Sequence, residues 1–287
     1  MAERQGGAFT AQQARQTCRW EALQRWVAQG LVVRESAQWY RLAAADQEVP
    51  AQVMRAELFL GRPLVACLHT AARLHGFGVV PDSDLHLTTS EARSLHPPDG
   101  VVIHQKMLRS PAARMNGILA TSPADTAIDV AAIVREIDVL AVLDSAVRAG
   151  VAQGSLQDAL LRAARRRGIV QVRDQLPLVS AAAESAMESR TRFRLHEAGL
   201  PRPELQIPIR TRSGVRRLDM GWRAARVGLE FDGQDFHSGD GSLDRDRERG
   251  RELLEAGWSV LHVTGRDVYL HPERFTGALR VLLRDRT

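Results

Sequence analysis

The sequence of 287 residues is poor in cysteine, lysine and long apolar runs, and each shortage removes a class of protein. Cys18 and Cys67 are its only cysteines and no Cys-x-x-Cys pair occurs, which excludes a disulfide framework or a zinc knuckle as the organising device. No apolar stretch approaches the ~18 residues of a membrane helix. The start, Met1-Ala-Glu-Arg-Gln-Gly-Gly7, lacks the apolar core of a signal peptide. A cytoplasmic protein without a membrane partner is therefore expected. Lys106 is the only lysine, so the C-terminal half has none to offer to catalysis. Internal repeats and low-complexity tracts are also missing.

What is present is ordinary globular material, 44% hydrophobic and 25% charged, with length enough for two or three domains. The net charge of +5 permits a polyanionic partner, although arginine-rich coding in a GC-rich genome produces the same bias. Patterning predicts a multidomain α/β (α+β) chain in three parts: residues 1–47, 48–177 and 178–287.

In the first part Thr10 stands where an N-cap would start a short helix. A second helix is predicted from Arg19 to Gln29, with Trp20, Leu23, Trp26 and Val27 at helical spacing on one face. Leu31-Val32-Val33 and Trp39-Tyr-Arg-Leu42 then form two short strands around a polar turn. Helix, turn, helix and β-wing is the layout of a winged helix, whose second helix enters the major groove. Arg19, Gln24 and Arg25 are its candidate DNA contacts. A protein-contact module has the same layout, and that alternative stays open.

The middle part offers a helix ending at Gly76, strands at Leu85–Thr89 and Val101–His104, and a helix start at Ser122-Pro123. Its histidines show no ligand spacing on a shared face and are expected to be solvated or hydrogen-bonded.

The third part reads as helix, strand, strand, helix, strand, helix, and it carries the chemistry. A tight hairpin centred between Ala224 and Ala225 places Asp219 opposite Glu230, with Asp232 on the same face and Leu229 and Phe231 turned to the core. Cross-strand Cβ atoms so paired are roughly 5 Å apart, and like charges there repel. A bound Mg²⁺ or Mn²⁺ resolves the repulsion with oxygen-only ligands. A register shifted by one, or neutralisation by arginines such as Arg217, resolves it equally. His237 is the nearest group able to act as base at neutral pH. An upstream helix, 181–198, carries Glu184 and Glu188 at i, i+4 on one face, either as an outer metal ligand or as a solvated acidic stripe. A later helix, 243–256, carries Arg245, Arg247 and Arg249, candidates for a phosphate backbone if they are not simply a solvated face.

Glu184-Ser-Ala-Met-Glu188, Arg217-Leu-Asp219, Leu229-Glu-Phe-Asp-Gly233, His237, Asp246 to Arg249, Gly257-Trp258 and Thr264-Gly-Arg-Asp267 together resemble the very-short-patch-repair-like endonucleases of the PD-(D/E)XK superfamily. His69-Thr-Ala-Ala, Leu74-His-Gly76 and Thr121-Ser-Pro-Ala-Asp-Thr126, with the winged helix before them, resemble AbiEi-type antitoxins, transcriptional regulators of toxin–antitoxin systems. These resemblances imply a winged helix, an AbiEi-like α/β domain and a restriction-endonuclease-like α/β/α core.

Two functions follow as expectations. In the first, Asp219, Glu230 and Asp232 hold Mg²⁺ or Mn²⁺, Glu188 and His237 complete the catalytic set, and the chain hydrolyses DNA. In the second, the nuclease-like part is inactive and the chain is a DNA-binding regulator or antitoxin, with a partner toxin or defence protein. The first is the leading expectation, since an inactive domain has no need to keep three acids on one strand pair. The missing motif lysine, where Asp232 stands, and the antitoxin-like first half argue for the second. His262 stands where an arginine that would contact phosphate is expected.

Overall fold

The computed structural model describes residues 2–35, 38–90, 95–105, 107–233 and 242–286. They fall into two compact units, Met1–Val130 with Gly154–Arg165, and Ala131–Gln153 with Arg166–Thr287. The structure is mixed α/β throughout.

The first unit opens with β1 (Ala8–Thr10), α1 (Ala11–Thr17), α2 (Trp20–Ala28), β2 (Val32–Arg34) and β3 (Trp39–Leu42). The strands form an antiparallel sheet in the order β1-β3-β2. Thr10 caps α1 in a reciprocal box: its hydroxyl accepts from the Gln13 N–H at 3.0 Å, and Gln13 Oε1 accepts from the Thr10 N–H at 2.8 Å. Ala14, Leu23, Val32 and Tyr40 close the small core. The expected apolar face of α2 is only partly covered. Leu23 is fully buried, but Trp20 and Trp26 are 38% and 39% exposed. A nine-residue helix seated on three short strands through Leu23 has little beneath it to cover residues three positions to either side.

Next come α3 (Val49–Leu60), β4 (Val65–Ala66), α4 (Leu68–Leu74), β5 (Leu85–Thr89), β6 (Val101–Gln105), β7 (Ala113–Met115), β8 (Ile118–Ala120) and α5 (Pro123–Ala131). The five strands lie in the order β6-β5-β4-β8-β7, over a core that includes Val53, Leu64, Leu87 and Ala120. The chain gives α6 (Glu136–Arg148) to the second unit and returns with α7 (Gln153–Arg162). Buried Asp125 and Asp129 of α5 are matched by arginines. Arg162 donates to Asp125 at 3.0 Å and Arg109 to Asp129 at 2.5 Å, while Ser110 makes a short hydrogen bond to Asp125. Burial pushes the Asp125 carboxyl up, but the bonds from Ser110 and Arg162 and the charge of Arg109 outweigh it and hold it below the usual range.

The second unit adds α8 (Ile169–Gln175), α9 (Ala186–Glu197), β9 (Glu204–Thr211), β10 (Gly214–Trp222), β11 (Val227–Asp232), α10 (Ser242–Glu255), β12 (Ser259–Thr264), α11 (Gly265–Leu270) and α12 (Pro272–Arg284). Its sheet runs β12-β11-β10-β9, antiparallel except for β12, which lies parallel to β11. Ile207, Leu218, Leu253 and Trp258 fill the core between this sheet and α10. Three expectations change. Strand β9 was not predicted, because Pro208 interrupts its pattern; it lies at the sheet edge, where proline is tolerated. The last predicted helix is two, since Pro272 starts a new one. The helix expected from 181 begins at Ala186 with Ser185 as its cap, so Glu184 precedes it rather than sharing a face with Glu188. Among the described residues no helix is long and apolar enough to cross a membrane.

The histidines of the first unit predict its acid response. Burial is the main cause that lowers His69 and His75 from the ordinary value of 6.5. The folded state thus prefers them neutral, while the unfolded chain takes up protons first as pH falls through 6.5. Stability contributed by these groups is complete above that value and is lost below it. The urea midpoint of the first unit should therefore be lower at pH 5.5 than at pH 7.5. An unchanged or higher midpoint would contradict this origin.

Candidate functional site

The second unit brings Glu188, Asp219 and Glu230 into one neighbourhood. β10 and β11 pair as Trp222↔Val227, Gly221↔Gly228 and Met220↔Leu229, the register of a turn centred between Ala224 and Ala225. Continuing it sets Asp219 opposite Glu230. The backbone ladder, however, skips Asp219 on both sides: β9–β10 pairing runs to Leu218↔Ile207 and resumes at Met220↔Leu205. Asp219 Oδ2 instead accepts from the Phe231 N–H at 2.9 Å. Gln206, the residue facing this gap, has φ +51, a left-handed value that is unusual for a side-chain-bearing residue inside a strand.

Glu188 enters from the first turn of α9. Its Oε2 accepts from Gln206 Nε2 at 2.9 Å and from the Glu184 N–H at 3.0 Å. Burial raises the Glu188 carboxyl; hydrogen bonds from Glu184 and Ser185 oppose the rise, and the charge of Asp219 adds to it. Asp219 is raised by burial as well, against the Phe231 N–H and the charges of Arg249 and Arg217. Both acids therefore hold their protons more tightly than exposed carboxyls do.

Glu230 is buried, at 7% exposure, beside the fully buried Leu229, whereas Phe231, expected in the core, is only half-buried. Arg249 Nη2 of α10 donates to Glu230 Oε1 at 2.5 Å and to the Arg217 carbonyl at 3.1 Å. Arg217 itself pairs with Glu184 at 2.6 Å. Asp232 meets the His262 ring at 3.0 Å. The donor set is all oxygen, the chemistry that hard divalent cations take. As arranged, though, each acid already has a protein partner, and among the described residues no group of three histidine, cysteine or acidic side chains is gathered to hold a metal ion. The residues in this arrangement do not fit the ion, and no reaction step is derived through it. His237 lies outside the described residues, and so do the side chains of Arg245 and Arg247.

The other candidate surface is α2. Arg19, at its N-cap, and Gln24 and Arg25 on its body are all exposed, beside the half-exposed Trp20 and Trp26. Arg15 lies over the Trp20 ring at 5.2 Å.

In the middle sheet the histidines are hydrogen-bonded, as expected, and they converge in a way their spacing hid. His86 Nδ1 lies 3.0 Å from His104 Nε2, and His86 Nε2 lies 3.2 Å from Asp82 Oδ2. His69 Nε2 stands 3.7 Å from the same oxygen. Parallel pairing of β5 with β6 produces the contact between residues 18 apart in sequence.

Residues 64–178 match the AbiEi antitoxin C-terminal domain family. The chain is 35% identical over 244 residues to two proteins of Mycobacterium tuberculosis, the uncharacterized proteins MT2308 and Rv2248, a span covering 84% of this chain and 89% of each of them.

Proposed function

Since the chain belongs to one family with these two mycobacterial proteins and carries an AbiEi antitoxin-type domain, we propose that it is a DNA-binding regulator of the antitoxin type. The antitoxin match carries this reading. The N-terminal layout supports the DNA-binding half of it: two short helices joined by a turn, a hairpin, and a sheet ordered β1-β3-β2, which is how a winged helix presents its second helix to the major groove. Arg19, Gln24 and Arg25 would make the contacts, mixing phosphate positioning with base reading. A toxin protein is the partner this reading implies.

The test is binding of the full chain to labelled duplex DNA across a salt series. The expected result is duplex binding that weakens steeply and linearly on logarithmic axes as salt rises, the signature of released counterions. Absence of duplex binding at 50 mM salt would remove the regulator reading.

A second reading is favoured by one observation, the convergence of Glu188, Asp219 and Glu230 around a gap in the β10 ladder. An antiparallel trio with a fourth strand parallel to its last member, flanked by α9 and α10, is compatible with a PD-(D/E)XK-type nuclease core. That role would require the three acids and Asp232 to give up their present protein partners before Mg²⁺ or Mn²⁺ could be held there. Supercoiled plasmid incubated with Mn²⁺ tests it. Nicking by the wild type that is lost in both Asp219→Ala and Glu230→Ala is expected; cutting that survives both changes would place the activity elsewhere.

A further inference from the structure

A carboxylate on a helix that faces DNA opposes binding to every sequence, because the duplex is a dense polyanion. We propose that Glu21 is a base-reading residue of α2, accepting from cytosine in the major groove while Arg25 beside it donates to guanine. The proposal rests on the DNA-binding reading of this helix and names what the helix selects.

The orientation of α2 is fixed by Leu23, which is fully buried. At 3.6 residues per turn, Glu21 and Arg25 each point roughly 160° away from Leu23, one on either side of the outermost line of the helix. Gln24 and Ala28 share that outer face, at roughly 100° and 140°. All four are exposed. Trp20 and Trp26 project only about 60° from Leu23, so they flank the small core and leave the outer face uncrowded. Exposed acids elsewhere pair with arginines: Glu35 meets Arg41 at 2.7 Å, and Glu204 meets Arg223 at 2.8 Å. Glu21 precedes Arg25 by four residues, the spacing and order that favour an ion pair on a helix. Among the described residues, however, the Glu21 side chain has no such partner. Its carboxylate is free to meet a third group.

The major groove gives a carboxylate one good choice. Cytosine presents only its N4 amino donor there, whereas guanine and thymine present the O6 and O4 acceptors, which repel a carboxylate. Adenine has a donor at N6 but sets the N7 acceptor beside it. A carboxylate therefore discriminates by what it rejects as well as by what it accepts. Arg25 is the complement, since a guanidinium donates to guanine O6 and N7 together, and Gln24 matches adenine. Four residues span roughly 6 Å of helix, less than two base-pair steps of roughly 3.4 Å, so the two readings fall close together on the duplex.

The experiment is selection of duplexes from a randomised pool by the full chain, followed by anisotropy on single-base variants of the selected site. It compares wild type with Glu21→Gln, Glu21→Ala and Arg25→Ala. The wild-type site should hold a cytosine whose replacement weakens binding at least about fivefold. Glu21→Gln should move the preference at that one position from cytosine to adenine, because an amide donates and accepts where a carboxylate only accepts. Glu21→Ala should erase the preference there and tighten binding to unrelated duplex. Arg25→Ala should erase a guanine preference close to the same position. Glu21 also lies in the first turn of α2, where an acid complements the helix dipole. A role confined to the dipole would lower the melting temperature of both Glu21 variants and leave the selected bases unchanged, which would overturn the proposal. Tighter binding of every duplex by both variants, with an unaltered selected site, would also overturn it and leave the regulator reading standing. No duplex binding by folded wild type would remove that reading and the proposal with it.

Discussion

Asp144→Ala should lower the unfolding free energy of the second unit by about 3–5 kcal/mol, the cost of stranding one member of a buried ion pair. Asp144 is fully buried and its partner Arg192 is 4% exposed, so removal of the carboxylate leaves a guanidinium with neither water nor a counter-charge. Burial is the main influence on both groups, raising the aspartate and lowering the arginine, which shows that desolvation opposes the charges and that their mutual contact offsets it. The pair also fixes α9 against α6, along with Arg190 and Asp138 at 2.7 Å. Because Glu188 projects from α9, loosening this contact should disturb the acid neighbourhood too. Denaturant unfolding measures the loss. Arg223→Ala breaks a pair whose members are 49% and 53% exposed, and it should change stability by less than ~1 kcal/mol. Equal effects of the two substitutions would mean that α9 is not anchored as described.

The second large effect is expected on DNA. Arg19→Ala/Arg25→Ala should weaken duplex binding by roughly tenfold or more per arginine, since a hydrogen bond to a charged group contributes about 1.5–3 kcal/mol. It should also reduce the slope of log affinity against log salt by about 0.9 for each phosphate contact removed. Both arginines are exposed on a helix whose core contact is Leu23, so the double change should leave the unfolding midpoint of the first unit almost unaltered. Fluorescence anisotropy across a salt series reads affinity and slope together. Unchanged affinity and slope would turn α2, with its exposed Trp20 and Trp26, into a protein-contact surface instead.

Local signals in the sequence located much of this structure. Thr10 as a cap, the strand pair around residues 35–38, the helix start at Pro123 and the β10–β11 turn all depend on neighbours a few residues apart, and the chain follows them. Long-range pairings were not legible. Nothing near Asp82 or His86 announces that His104 will lie alongside, because only the pairing of β5 with β6 creates that contact. Strand β9 was hidden by Pro208, and with it Gln206, whose left-handed backbone and bond to Glu188 bear directly on the acid neighbourhood. Arg249 was visible as one arginine in a charged helix, but not as the partner of Glu230, a choice set by how α10 crosses the sheet. Composition likewise gave no sign that α6 would leave the middle of the chain to pack against α9 and α8 in the second unit.

The central claim is that this chain recognises DNA as a regulator. Selection of duplexes from a randomised pool by the full-length protein, at 150 mM salt, tests it most directly. The account predicts enrichment of a defined site whose capture is lost in Arg19→Ala/Arg25→Ala and retained in Asp219→Ala. Recovery of unenriched DNA, or enrichment that depends on Asp219 and ignores Arg19 and Arg25, would contradict it.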